Sequence, residues 1–360
     1  MASNLTQATR ELLDKTWRSA ISYGIPLFTR LAERDQIIPG GIRYEQIYES
    51  ADMKSLVQWY TTNTPLTGGS KEIIEKPHWH AAYVQCPVEE DVDERVMNAP
   101  SSDAQLIKIR NKIAKGALMG IKYSMADWMY GCAGDTDFDA THTRLQGLCS
   151  ALMEDKLYAG IDNTGTSYEE WQPADEDNWD AAYAINKANL DAWLDAVSEF
   201  AEDGQDILIL MGTTLWRRLK QQFEASNIYT PKANRAKQGF DSMEYNGVEI
   251  AKDHLLERMT QTGPKKHGTA DGTMTVGGSN YGLCGDSKTG DAFVFVLDLK
   301  TWHLRYFEDK EGGTGPFEMT DFFDQDKILG GVEKKLARIK WKGQLTCDMP
   351  NRNLMRAAVT

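Results

Sequence analysis

The sequence has no long apolar run. Its most hydrophobic stretches, 207–211 and 292–297, fall well short of the ~18–20 residues a membrane-crossing helix needs. The opening segment 2–10 lacks the basic start and apolar core of a secretory signal. A protein made and used inside a cell, with no membrane contact, is the expectation. Cysteine is sparse: five residues (Cys86, Cys132, Cys149, Cys284, Cys347) are scattered, with no C-x-x-C pair. That pattern argues against a disulfide framework or zinc site and reads as buried free thiols. Basic charge is also in deficit, with a formal net charge of -13. General affinity for nucleic acid requires clustered Lys and Arg, so any DNA contact is expected to be local and non-specific.

Catalytic motifs are missing as well. There is no G-x-S-x-G and no H-E-x-x-H. The run Gly285-Asp286-Ser287-Lys288-Thr289-Gly290 lacks the glycine spacing of a phosphate loop and leads into a strand pattern, so it reads as a hairpin turn. Asp135-x-Asp137-x-Asp139 begins like a calcium loop, but Ala140 stands where Gly is needed and Gln146 where a bidentate Glu is needed. His78-Trp79-His80 puts two imidazoles on one strand face without a third ligand nearby in sequence. No catalytic residue, cofactor or metal site is expected.

What is present is ordinary globular composition, with 41% apolar and 26% charged residues over 360 positions. Residues 1–41 have weak periodicity and end in the Pro39-Gly40-Gly41 breaker. Such a segment buries little alone and suggests an arm along another surface. Residues 42–90 read as a long two-stranded hairpin, with Trp79, Ala81 and Tyr83 on one face and His80, Ala82, Val84 and Cys86 on the other. A lone hairpin is marginal in water, so this one is expected to pack on something else. The strongest helix covers 102–130, opening on the capping box Ser102-x-x-Gln105. Leu106, Ile109, Ile113, Ala117, Ile121, Met125 and Trp128 form its apolar stripe, and Lys108, Lys112, Lys115 and Lys122 a basic one. At the usual rise it would span roughly 40 Å.

Further on, 186–202 reads as a helix, 207–211 as a strand buried on both faces, and 215–223 as part of another helix. The remainder is β-rich. Residues 243–250 read as one strand pairing with later strands, and 293–299 and 302–307 as further strands. A last long strand covers 335–347, with Ala337, Ile339, Trp341, Leu345 and Cys347 on one face and Arg338, Lys340, Lys342 and Gln344 on the other.

This order of elements resembles the shell-forming major capsid proteins of tailed phages, whose fold is shared with herpesvirus capsids. Pro26-Leu27-Phe28-x-x-Leu31 with Gly40-Gly41 is similar to the arm of one subfamily. Residues 207–211 followed by Leu215-Trp216-Arg217-Arg218-Leu219 resemble the family's strand, turn and W/Y-x-x-L stretch. Tyr245-Asn246-Gly247-Val248-Glu249-Ile250 resembles its x-G-x-P-I/V strand, with Glu249 in place of Pro. Residues 334–358 look like the closing strand.

The resemblance implies an α+β phage major capsid fold. Residues 1–41 would be the N-terminal arm, 42–92 a β-hairpin extension loop, and 93–190 a peripheral domain with spine helix 102–130. Residues 191–327 would be the axial domain, and 328–360 the closing strand and C-terminal segment. It implies self-assembly as pentamers and hexamers into an icosahedral shell, built in the bacterial cytoplasm and carried in the virion. A separate scaffolding protein, a portal protein and, as an option, a decoration protein would be partners. Candidate inter-subunit contacts are Phe28, Tyr44, Tyr48, Trp79 and Tyr83, together with Lys108, Lys112, Lys115, Arg338, Lys340 and Lys342. Each basic stripe reads as a contact to DNA phosphates or to acidic patches on a neighbour, or as a solvated face. The rivals are another virion protein, an α/β enzyme with a polar pocket, and a nucleic-acid-binding protein.

Overall fold

A computed structural model describes residues 25–32, 34, 36–39, 43–46, 48–49, 74–91, 103–130, 145–152, 157–162, 171–174, 183–199, 206–225, 230–231, 241–256, 259–260, 263–264, 275–276, 279–280, 293–308, 317–319, 323–324 and 334–356. Ser102, the acidic run 135–140 and the turn 285–290 lie outside them.

The chain begins with helix α1 (Pro26–Ala32), strand β1 (Gln36–Pro39) and strand β2 (Arg43–Glu45). Strands β3 (His78–His80) and β4 (Ala82–Asp91) precede the long helix α2 (Asp103–Tyr130) and the short helix α3 (Leu148–Leu152). Helix α4 (Lys187–Ser198), strand β5 (Ile207–Met211) and helix α5 (Thr213–Ala225) follow. The rest is strand: β6 (Ser242–Tyr245), β7 (Val248–Lys252), β8 (Val294–Asp298), β9 (Trp302–Glu308), β10 (Phe317–Met319), β11 (Lys334–Cys347) and β12 (Asn353–Arg356).

Two six-stranded sheets organise these elements. In the first, β11 is the central strand. β4 pairs with it from Lys334 to Gly343, while β9 and β10 pair along its other side. β1 adds in parallel to β9. The second sheet runs Thr230–Pro231, β6, β7, β5, β8, β12.

Period-two alternation explains how the layers stack. On β5, Leu208 and Leu210 face one core with Ala251, Phe295 and Leu297. That core continues to Ala337, Ile339, Trp341 and Leu345 of the first sheet, to α1, and to Leu118, Ile121, Met125 and Met129 of α2. Ile209 and Met211 face a second core with Leu190, Trp193 and Val197 of α4 and Leu215, Leu219 and Phe223 of α5. The second sheet is therefore covered on both faces, as its apolar run requires.

Several expectations hold in detail. Helix α2 is 28 residues long and unbroken through Gly116 and Gly120. Asn186 caps α4, its side chain accepting from the Asn189 N–H at 2.9 Å. Lys340 and Arg338 are exposed while Ala337, Ile339 and Trp341 are buried.

Others are corrected. Residues 243–250 are not one strand pairing later in the chain. They form a hairpin, turning at Asn246 and Gly247 with φ of 49° and 81°, left-handed values that Asn-Gly tolerates best. Its second strand pairs in parallel with the earlier β5. The arm is not an external strap along its whole length: Ile25, Leu27, Phe28 and Leu31 are sealed in the chain's own core. Arg30 pairs with Glu249 and Arg34 with Asp206, which fastens α1 to the second sheet. The expected hairpin is split as well. β2 pairs with β3, but β4 belongs to the first sheet. The alternation breaks at Ala81, so buried Trp79 and exposed Tyr83 do not share a face. Finally, the described part of the closing segment, 334–356, holds two strands: β11 ends at Cys347, and β12 joins the second sheet beside β8.

Gly343, near the middle of β11, is required by packing. A Cβ there would run into the Arg305 carbonyl oxygen and come within 2.6 Å of the Trp341 ring. At Gly120 of α2 a Cβ would meet nothing within 4 Å. Gly343→Ala should therefore destabilise the folded chain by about 1–3 kcal/mol, whereas Gly120→Ala should be neutral or stabilising by up to ~1 kcal/mol. Urea unfolding of both variants checks this; equal effects would contradict the packing account.

Candidate functional site

The base of the hairpin packs on a buried polar cluster that adjoins the outer face of β11. β2 and β3 pair antiparallel, with Tyr44 opposite Trp79. Trp79 is wholly buried against Tyr158 and Trp171, at ring-centroid distances of 6.1 and 6.4 Å. His78 donates its backbone N–H to the Ala159 carbonyl at 2.8 Å. Ala159 and Gly160, at φ of 53° and 82°, form a left-handed turn under the His78 ring.

Tyr44 leaves this pair on the other side and covers Arg305. The guanidinium carbon lies 4.0 Å from the Tyr44 ring centroid. Arg305 is almost fully buried. It donates two hydrogen bonds to Asp348, both 2.9 Å, one from Nε to Gln36 at 3.0 Å, and one to the Thr346 hydroxyl. Burial pushes the Tyr44 phenol up, with the Arg305 charge opposing. For Asp348, burial alone would raise the carboxyl. Hydrogen bonds from His303 and Arg305, and the Arg305 charge, outweigh it and hold Asp348 below the ordinary value. Beside Arg305 on β11, Gln344 donates to the His80 carbonyl at 2.9 Å and accepts from the Gln146 N–H at 2.8 Å.

Beyond Gln344 the same face of β11 opens to solvent. Lys342, Lys340 and Arg338 stand opposite Tyr83, Gln85 and Pro87 of β4. Tyr83 is 52% exposed, and the Lys342 ammonium lies 5.6 Å from its ring centroid.

The sequence candidates divide accordingly. Phe28 and Trp79 are both 0% exposed and are withdrawn as inter-subunit contacts, because intrachain pairing invisible in the sequence buries them. Tyr44 is an intrachain anchor for Arg305. Tyr48 pairs through its backbone with Glu75. Tyr83, Arg338, Lys340 and Lys342 are brought together on one face. Lys115 is exposed on α2, a different element from that face, and the side chains of Lys108 and Lys112 lie outside the described residues. Sequence reasoning missed Arg305, Asp348 and Gln344. The available signal was a cation at an alternating position inside the apolar strand Trp302-His303-Leu304-Arg305-Tyr306-Phe307.

Among the described residues no group of three His, Cys, Asp or Glu is placed to hold a metal, and no helix is long and apolar enough to cross a membrane. The rings of His78 and His80 lie 5.6 Å apart, centroid to centroid. A cleft of about 350 Å³ beneath α1 is lined by Arg30, Asp206, Glu249 and the Asn246–Gly247 turn. Its charged groups are engaged in ion pairs with Arg30 and Arg34.

No protein-family model and no curated protein sequence matches the chain. Solved structures do. The capsid asymmetric unit of cyanophage A-1(L) superposes with a TM-score of 0.62 at 13% identity, covering 94% of this chain and 93% of the other. The chain has the phage capsid-shell fold. The holo-SrpI encapsulin complex from Synechococcus elongatus PCC 7942 is similar at TM-score 0.52 and 10% identity, over 92% of this chain and 87% of that one. The capsid of a native GTA particle is similar at TM-score 0.51 and 8% identity, over 92% and 90%. In this capsid-shell fold, the buried Arg305 cluster lies where the hairpin leaves the first sheet.

Asp348 allows a test by pH. A carboxyl held low in the folded state contributes stability above its unfolded value of about 3.9, and that contribution is lost as the pH falls through the folded value, which lies below 3.8. Asp348→Asn should cost about 1.5–3 kcal/mol at pH 7. The deficit should stay constant down to about pH 4 and shrink below it, read by denaturant titrations of both proteins from pH 7 to pH 3. A deficit independent of pH through that acid range would contradict the assignment.

Proposed function

We propose that this protein is the major capsid protein of a tailed bacteriophage. In this role it would assemble as pentamers and hexamers into the icosahedral shell that encloses the genome. The observation that carries the proposal is the match along nearly the whole chain to a cyanophage capsid subunit. A structural role, with no catalysis, follows from the same reading. The hairpin would be the extension loop, α2 the spine helix, and the second sheet with α4 and α5 the axial domain. A separate scaffolding protein and a portal protein are the partners proposed with it. Packaged DNA would be touched only locally, since a net charge of -13 opposes general affinity.

Assembly chemistry supports the proposal. A shell joins many weak contacts that must remain reversible until closure. Exposed ion pairs suit this, each worth about 0–1 kcal/mol and screened by salt. The face of Arg338, Lys340 and Lys342 is a basic island on an acidic chain, and acidic segments such as 89–94 and 175–177 of another copy are its candidate partners.

The charge reversal Arg338→Glu, Lys340→Glu and Lys342→Glu tests this face. The triple variant should fold normally by circular dichroism yet remain as subunits or small oligomers in sedimentation, while the wild type sediments as shells. Normal shells from the triple variant would eliminate this face as a docking surface.

A further inference from the structure

We infer that Arg305 is a positioning residue that sets the direction in which the hairpin leaves the body of the subunit. The inference rests on the shell reading, in which that direction decides where one subunit reaches the next.

A two-stranded hairpin is too weakly stable to hold its own orientation, so the body must impose it. Both strands of the base are held here by one cross-strand pair of the first sheet, Arg305 and Gln344. Gln344 takes the β3 side, donating to the His80 carbonyl at 2.9 Å. Arg305 takes the β2 side through the Tyr44 ring at 4.0 Å. The guanidinium is immobilised before it meets that ring. Asp348 holds it by two bonds, Gln36 by one and Thr346 by another. The plane of a guanidinium fixed by a bidentate carboxylate is defined, so the ring stacked on it inherits an orientation. An ammonium in the same place would attract the ring without orienting it. The attachment also joins three distant parts of the chain, since Gln36 lies on β1, Arg305 on β9 and Asp348 just after β11. Any tilt of the Tyr44–Trp79 pair is carried outward along the hairpin.

The test uses the full chain with Tyr44→Leu, Tyr44→Phe and Arg305→Lys, read by amide hydrogen exchange and electron microscopy. Tyr44→Leu should speed exchange in 43–49 and 74–80 at least tenfold, leave α2 and β8 within twofold of the wild type, and give particles of mixed size or open sheets. Tyr44→Phe keeps the ring and should match the wild type. Arg305→Lys should reproduce Tyr44→Leu at the hairpin base. Unchanged exchange at that base in Tyr44→Leu would overturn the anchoring role, whatever particles form. A loosened base with uniform closed shells would overturn the claim that direction matters for assembly. If the wild type forms no shells while Tyr44→Leu still loosens the base, the shell reading falls and the anchoring role stands.

Discussion

The chain crosses between its two sheets twice at one place, and a single buried amide holds both crossings. β8 turns into β9 through 298–302, and β11 turns into β12 through 347–353. The Asn353 side-chain oxygen accepts from the Asp298 N–H at 2.9 Å and from the Trp302 indole N–H at 2.8 Å. Its amide nitrogen donates to the Thr301 hydroxyl and to the Met349 carbonyl, both at 2.9 Å. Arg352 meets the fully buried Asp298 at 2.9 Å. An amide has two donors and two acceptor sites, and all four are used here. Any replacement that cannot do the same strands buried polar groups, at about 1–3 kcal/mol each. The Asn353 amide, with every donor and acceptor engaged, ties the two sheets together at this corner.

The rest of the architecture follows from that corner. With the sheets joined at one end, α1 and the residues just after it bridge them elsewhere: the apolar face of α1 lies in the shared core, Arg30 pairs with Glu249 of β7, and Arg34 pairs with Asp206 just before β5. Helix α2 lies along β4 and β11. At its last residue Tyr130 donates a hydrogen bond to the buried Asp253 just after β7. The hairpin is then attached to a rigid body at its base. Under the proposed shell role, this body would present the charged sheet face and the hairpin for repeated, weak association.

Much of this was legible in the sequence where one pattern decided the outcome. Helix α2 is announced by its period, and β11 by strict alternation around Ala337, Ile339 and Trp341. The apolar run 207–211 reads as a strand covered on both faces, and it is one. The capsid resemblance itself came from element order. What was not legible depended on partners far away in the chain. The fate of Phe28 and Trp79 turned on packing against elements more than a hundred residues distant in part, which no local pattern reveals. The break at Ala81, which reverses the faces of β3 and β4, follows from β4 pairing with β11. The Asn246-Gly247 turn could have been read locally, since that dipeptide is a strong hairpin signal. Arg305 could not have been assigned its role, because its four partners come from three separate segments.

The most direct test is a cryo-EM reconstruction of the particles formed by this chain. The account predicts a closed icosahedral shell with fivefold and sixfold clusters, in which the hairpin and the outer face of β4 and β11 lie at subunit boundaries. Monomers, rings or filaments, or a shell in which that face and the hairpin touch only their own chain, would contradict it.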